Sequence, residues 1–354
     1  MGPMNTRVTK AKNWILQFIQ IQLIVFMVSL PILSGWGFEM SILSPIGNLI
    51  FTPILTVFLL LSSIIFFLEI LCIPNNWIIY LLHQVSNLWI WLLGMYNRNL
   101  LIGFTKPPII FSIMVPIAII LILHIKKIRG LTKNIAVFFA LFIVSCAYLK
   151  LINTPRSFIK PITCHNGEVI CIYNKGKTAI IDPGYIGQRI SAQSWMQYTL
   201  IPEIIKSCGK TSIDYLIFMQ PGKIVFDTIE SMLEIIHVKN IYLVSWQGNM
   251  DKYILKSFYN MKNTAIANKT VIKRISWNTE HIRLQENASL VISPLSKNLS
   301  YRTVTYPALC VTCNIDNQKV KIYSAKYCSL LHSKLRRKHA KNSSCYRQPR
   351  ISAY

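Results

Sequence analysis

Three groups of residues in this sequence have types or spacings that bear on chemistry. Asp182 ends an apolar run in I-I-D-P-G, Ile180 to Gly184, which places a carboxylate at the close of a strand-like segment. Cys310 and Cys313 have the C-x-x-C spacing of half a metal site. Pro45, Asn48 and Pro53 interrupt an apolar stretch with groups that hydrocarbon tolerates only under a cover of protein or water. Each group also has a plainer reading. The segment ALCVTCNI alternates like a strand, which would turn Cys310 and Cys313 to opposite faces, and no second C-x-x-C or H-x-x-x-H accompanies them. The nine cysteines share no repeated spacing and read as structural thiols. His165, His237 and His281 stand at unrelated spacings, so they define no ligand set. Residues 34–53 read equally well as a re-entrant loop at a membrane interface or as the lining of a conduit.

The elements that must carry these residues differ sharply between the two parts of the chain. Of its 354 residues, 52% are hydrophobic and 14% charged, and the mean hydropathy is +0.40. That is too apolar for an ordinary soluble protein of this size. Before residue 153 the only acids are Glu39 and Glu69. From Pro155 on, acids, bases and turn residues alternate with short apolar runs. Ile54 to Ile73, ILTVFLLLSSIIFFLEILCI, is apolar on every face and long enough to cross a hydrocarbon core of about 30 Å. Similar runs at 14–33, 77–93, 107–125 and 131–152 complete a membrane domain of five expected spans over 1–153, with the broken segment 34–53 between the first two. The run 77–93 carries His83, Gln84, Ser86 and Asn87 as a polar stripe, which suits a span packed inward or a helix lying in the interface.

Arg7, Lys10 and Lys12 precede the first run, which reads as a first span or signal anchor. Lys126, Lys127, Arg129 and Lys133 make the densest basic loop between spans. The positive-inside rule puts both in the cytoplasm, and five crossings then put the globular part outside. The formal net charge of +25 invites a nucleic-acid reading, but much of it lies in membrane-flanking loops and in the acid-free tail 331–354, which is expected to be disordered.

Residues 154–330 read as an α/β domain. Strands are expected at Glu168–Tyr173 and Lys177–Asp182, joined by the hairpin signal Asn174-Lys175-Gly176. A helix over Trp195–Ser207 and a strand over Tyr215–Met219 follow, then a helix over Thr228–His237 and a strand over Ile241–Ser245. Strands at Ser289–Ile292, Ala308–Ile315 and Lys319–Tyr323 come last, and two mixed sheets flanked by helices are the expected arrangement.

The broken segment S-P-I-G-N-L-I-F-T-P, the spans after it, and G-E-V-I-C-I-Y-N-K-G-K-T-A-I-I-D-P-G at the start of the globular part resemble the C-terminal portion of the ComEC family of DNA-internalisation competence proteins. The resemblance covers most of the chain. It implies an α-helical polytopic membrane domain followed by a metallo-β-lactamase-like αββα sandwich, in a bacterial cytoplasmic membrane, with a channel for single-stranded DNA. Partners implied are membrane lipid, single-stranded DNA, and either a separately encoded N-terminal half of the channel or further copies of the chain. Intact members carry Thr-His-x-His-x-Asp-His after the strand that here runs into Met219. By position, Gln220, Gly222, Ile224 and Val225 stand where those ligands would be, with Lys223 among them. A later family strand leads to Thr-Gly-Asp, and here Lys326 replaces its acid. Asp182 is retained, in a place that supports a turn as much as it binds metal. The resemblance therefore implies a DNA-uptake component with an outer domain that is not catalytic and holds no cofactor. A membrane-anchored metal-dependent nuclease or phosphoesterase is the alternative, and a remnant of a longer competence gene is the third reading.

Overall fold

The computed structural model describes residues 3–41, 44–94, 101–125, 131–164, 167–188, 191–285, 288–301, 304–316 and 318–330. The basic loop residues 126–130, His165 and the tail 331–354 lie outside them. The chain forms two compact units, Met1–Thr154 with Pro202–Thr211, and Pro155–Ile201 with Ser212–Tyr354.

The first unit is built of apolar helices: α1 (Pro3–Trp36), α2 (Ser44–Ile70), α3 (Asn76–Gly94), α4 (Ile109–His124) and α5 (Leu131–Ala147). Three stretches are long and apolar enough to cross a membrane: Asn13–Trp36, Ile50–Ile70 and Thr132–Ile152. Ile109–His124 is apolar but shorter. Helix α1 stops at Gly37, whose φ of +81° only glycine adopts without strain. Its N–H donates to the Ser34 carbonyl and that of Phe38 to the Leu33 carbonyl, a Schellman end. A short antiparallel ribbon of β1 (Met40–Ser41) and β2 (Leu101–Ile102) follows the turn. Leu23, Met27, Val115, Ile119 and Phe138 form one core of this unit. Phe26, Leu30, Met40, Phe104 and Leu149 form another. Both are built from α1, α4, α5 and the segment around β2.

The first unit differs from the sequence expectation in three places, the first being that the span expected over 107–125 is the shorter helix α4. The break expected over 34–53 is confined to the turn and ribbon after Trp36, because α2 starts at Ser44 and runs on through Pro53. Pro45 lies in the first turn, where a helix needs no N–H donor. Pro53 costs one interior hydrogen bond, and the flanking turns carry the helix past it in an apolar sequence with no competing turn residues. The run at 77–93 forms helix α3, but its polar residues keep it out of the set apolar enough to span alone.

The second unit holds two sheets. The first is six-stranded, in the order β3 (Ser157–Cys164), β4 (Gly167–Asn174), β5 (Lys177–Asp182), β6 (Ser212–Phe218), β7 (His237–Val244), β8 (Val271–Ile275). Strands β3 to β5 pair antiparallel and β5 to β8 pair parallel. The Asn174–Lys177 hairpin turns on Lys175 and Gly176, both at positive φ, the twist that matches flanking strands. Parallel neighbours need crossovers: the chain from β5 to β6 passes through α6 (Ala192–Trp195) and then α7 (Ile201–Cys208), nearly all of which belongs to the first unit, and the next two crossovers are α8 (Lys223–Ile235) and α9 (Lys252–Ala267). The second sheet, β12 (Gln318–Tyr323), β11 (Val304–Ile315), β10 (Ala288–Tyr301), β9 (Glu280–Gln285), is antiparallel throughout rather than mixed. Its order follows the chain because each strand returns beside the last through a short turn.

Alternation sets the core. Ile170, Ile172, Ala179, Ile181, Ile217, Tyr242 and Val244 on the first sheet meet Leu290, Ile292, Tyr306, Leu309, Val311 and Cys313 on the second. The intervening residues Ile180, Leu216, Phe218, Ile241 and Leu243 are buried too. Both faces of the parallel strands are thus covered, and they read as unbroken apolar runs. Cys313 points into this core and Cys310 does not, as strand alternation requires.

Candidate functional site

The C-terminal ends of the parallel strands gather the residues that the sequence singled out. Asp182 is the last residue of β5 and is completely buried. The chain turns sharply after it through Pro183 and Gly184, where φ is +116°. The turn wraps its backbone onto the carboxylate, so Oδ1 accepts N–H groups from Gly184 (3.0 Å), Tyr185 (2.9 Å) and Ile186 (3.3 Å). The other oxygen, Oδ2, has no hydrogen-bond partner among the described residues. Burial pushes the Asp182 pKa up to about 6, against the opposing effect of the three N–H groups.

Two further segments close on this turn. The Met219 N–H donates to the Asp182 carbonyl (3.1 Å), extending the β5–β6 pairing past the end of the strands. Gly184 packs so closely on Gln220 that an added Cβ would lie 2.6 Å from Gln220 Oε1. After β12, the Ala325 N–H donates to the Pro183 carbonyl (2.8 Å). Ser324 is buried, with Oγ accepting the Leu309 N–H (2.9 Å) and donating to the Leu309 carbonyl (3.1 Å). The structure therefore brings Asp182, Gln220 and the 324–326 segment together. Gly222 is the residue before α8, with the extended backbone that any residue adopts. Val225 is buried in the core, while Ile224 is 37% exposed. Lys326 extends away to donate to the Ser300 carbonyl.

Comparison of the chain with protein-family models and with curated proteins finds no match. The donor chemistry of the site must therefore be judged on its own residues. Among the described residues no three His, Cys, Asp or Glu side chains lie together in a way that could hold a metal ion. A catalytic metal takes about three protein ligands. Beside Asp182 stand an amide at Gln220, a hydroxyl already bonded at Ser324, and backbone, so a metal centre of the lactamase kind does not fit these residues. His237 and His281 lie on β7 and β9, both exposed.

In the first unit, Pro45, Asn48 and Pro53 all lie on α2. Asn48 is exposed rather than buried as a residue, yet its amide is not idle: Nδ2 donates to Gln22 Oε1 on α1 (2.9 Å). Sequence spacing gave no sign of this partner, although a glutamine in an apolar run is itself a prompt to look for one. Lys150, near the end of the last span, escaped sequence reasoning as well. Its ammonium donates to the carbonyls of Gly103 (3.4 Å) and Gly209 (3.2 Å), all within the first unit. Asn153 Nδ2 donates to Thr105 Oγ1 and the Lys106 carbonyl, both at 2.8 Å.

Proposed function

We propose that this chain is an integral membrane component of a DNA-uptake channel, built like the C-terminal part of the ComEC family, with a lactamase-like α/β domain that no longer hydrolyses. The observation that carries the reading is the order of parts. An apolar helical unit precedes a mixed sheet whose β5 ends in a buried Asp182-Pro183-Gly184 turn, and an antiparallel sheet packs on that mixed sheet's inner face. A four-layer αββα sandwich is the finer form of this proposal.

The membrane unit is the part that would conduct. Its N-terminus and the basic loop before α5 are placed in the cytoplasm and the α/β domain outside, with lipid around the helices and single-stranded DNA as cargo. Either a separately encoded N-terminal half or further copies of the chain would complete the channel. DNA held by the surrounding lysines would weaken as salt rises and show little sequence preference. The site argues against hydrolysis through its donor set: Gln220, Gly222, Ile224, Val225 and Lys326 stand where the family places ligands, and Asp182 is left nearly alone.

One observation favours the competing reading of a membrane-anchored metal-dependent phosphoesterase: Oδ2 of Asp182 is buried without a hydrogen-bond partner among the described residues. Two experiments separate the readings. Cells lacking the gene should lose uptake of labelled DNA, and normal uptake would sink the transport proposal. The purified full chain should carry no stoichiometric zinc or manganese and should cleave neither DNA nor phosphodiester model substrates. Cleavage that vanishes in Asp182→Ala would restore the enzyme reading.

A further inference from the structure

The two sheets of the second unit differ in what lies over their outer faces. On the first sheet the outward residues Ile180, Leu216 and Leu243 are 0%, 1% and 2% exposed. On the second sheet the register sets Lys319 beside Asn314, Asn314 beside Ser289 and Ser289 beside Arg283, one row across all four strands. The adjacent row runs from Lys321 through Thr312 and Val291 to His281. Their sequence neighbours Ile282, Leu290, Cys313 and Ile322 point into the core, so both rows point away from it. The four residues at the margins are exposed and those between them half-buried, so among the described residues nothing closes over this part of the face.

The open face has one sign of charge. Among the described residues no Asp or Glu takes an outward position on the four strands, and Lys319, Lys321 and Arg283 have no ion-pair partner. Charge complementarity asks for an anion and excludes two occupants close at hand: the tail 331–354, basic and without an acid, and the same face of a second copy. Strands about 4.8 Å apart put the cations of the two margins about 14 Å from each other, too far to converge on one small anion. Single-stranded nucleic acid is extended, but it is held by stacking successive bases on rings. The only ring outward on these strands among the described residues, Tyr323, is already stacked on Tyr327. A bilayer surface offers anions in a plane and needs no rings.

Covalent reach brings the face to such a plane. Five residues lead from Ile152, where the last apolar stretch ends, to Ser157, where β3 begins, at most about 18 Å of chain. Ser157 Oγ donates to Asp316 in the turn between β11 and β12, three residues before Lys319. We propose that the outer face of the second sheet docks, through Lys319, Lys321 and Arg283, on anionic phospholipid headgroups of the bilayer that holds the first unit. The proposal rests on membrane embedding alone and is independent of any cargo.

The test uses the full chain in nanodiscs, with a benzoylphenylalanine photoprobe at Thr312 on the face or at Tyr253, which is exposed on α9. In discs of phosphatidylglycerol mixed with phosphatidylcholine, the Thr312 probe should form a phospholipid adduct and the Tyr253 probe should not. Lys319→Gln and Lys321→Gln should each cut the Thr312 adduct about fivefold, the worth of one cation at an anionic surface, and phosphatidylcholine alone should cut it further. Both lysines are exposed, so neither variant threatens the fold. No phospholipid adduct from Thr312, an equal adduct from Tyr253, or an equal yield in phosphatidylcholine alone would each overturn the docking. A single-stranded oligonucleotide that, when added, takes over the Thr312 adduct would overturn it in favour of nucleic acid. DNA uptake by cells lacking the gene reads the transport proposal separately, so either can fail without the other.

Discussion

Replacing Asp182 by Asn tests whether the buried carboxylate serves the fold or serves a cation. The amide keeps a carbonyl oxygen for the N–H groups of Gly184, Tyr185 and Ile186, and it cannot ionise. Burial raises the Asp182 pKa from 3.8 to about 6, which at 1.36 kcal/mol per tenfold in proton affinity is about 3 kcal/mol against the ionised form. The raised folded-state value fixes the sign. Below about pH 4 the carboxyl is protonated in folded and unfolded chains alike, and the penalty is absent. As pH rises from about 4 to about 6 the unfolded chain releases the proton while the folded chain holds it, and stability falls. Above about 6 the loss is complete and constant. Asp182→Asn should therefore match the parent near pH 4 and exceed it by about 3 kcal/mol at pH 7. The assay is denaturant unfolding of the full chain in detergent, followed by tryptophan fluorescence at several pH values. Taking the difference between variant and parent cancels the other carboxylates. A variant less stable than the parent at pH 7 would refute the reasoning, since it would mean that a cation compensates the charge in the native protein.

Other perturbations probe the frame around the site. Gly37→Ala forces a φ of +81° on a residue with a Cβ and drives that atom to 2.1 Å from the Pro202 carbonyl oxygen. It should cost at least about 1–2 kcal/mol from conformation alone and lower the melting temperature of the chain in detergent. Asp214 is buried and accepts the Thr178 N–H (2.9 Å) and the Lys239 ammonium (2.7 Å). Asp214→Ala should cost about 1–3 kcal/mol by leaving that N–H unserved, whereas Lys239→Met should cost under about 1 kcal/mol because the lysine is 55% exposed. The Arg274 guanidinium lies 4.8 Å from the Trp246 ring centre and 5.3 Å from that of Phe258. Arg274→Ala should lose about 1 kcal/mol in denaturant unfolding and change the Trp246 emission, and an unchanged spectrum would deny the contact.

How legible these features were depends on how local their causes are. The β4–β5 hairpin could be read outright: Asn174-Lys175-Gly176 supplies the positive φ values, and the flanking apolar runs need only each other. Strands β5, β6, β7, β11 and β12 were legible as short apolar runs between turn residues, and β10 only over Ser289–Ile292; β3, β8 and β9, which escaped, all lie at sheet edges, where polar residues dilute the apolar run. Helix α9 left a usable signal in Ile254, Phe258, Met261 and Ala265, spaced for one helical face, but its lysines and asparagines mask it in a composition already rich in both. Pro53 misled because a proline interior to a helix is normally a stop, and only a surrounding apolar sequence with nowhere else to place its backbone carries the helix past it.

Asp182 shows the limit most clearly. Its spacing in I-I-D-P-G marks a turn after a strand, but the same letters suit a metal ligand and a backbone clamp. The two roles part only when the oxygens are placed. One oxygen collects three N–H groups within its own turn, which any Asp-Pro-Gly bend can supply from four consecutive residues. The other is buried without a hydrogen-bond partner among the described residues, while Gln220 and the segment after β12 close on the same turn from far along the chain. Gln220 and Ser324 bring no imidazole and no second carboxylate. A motif fixes the half of a site that lies within one turn; the other half depends on strand pairing, which sets the ends of β5 and β6 side by side, and on the second sheet, after whose β12 the Ala325 N–H reaches the Pro183 carbonyl.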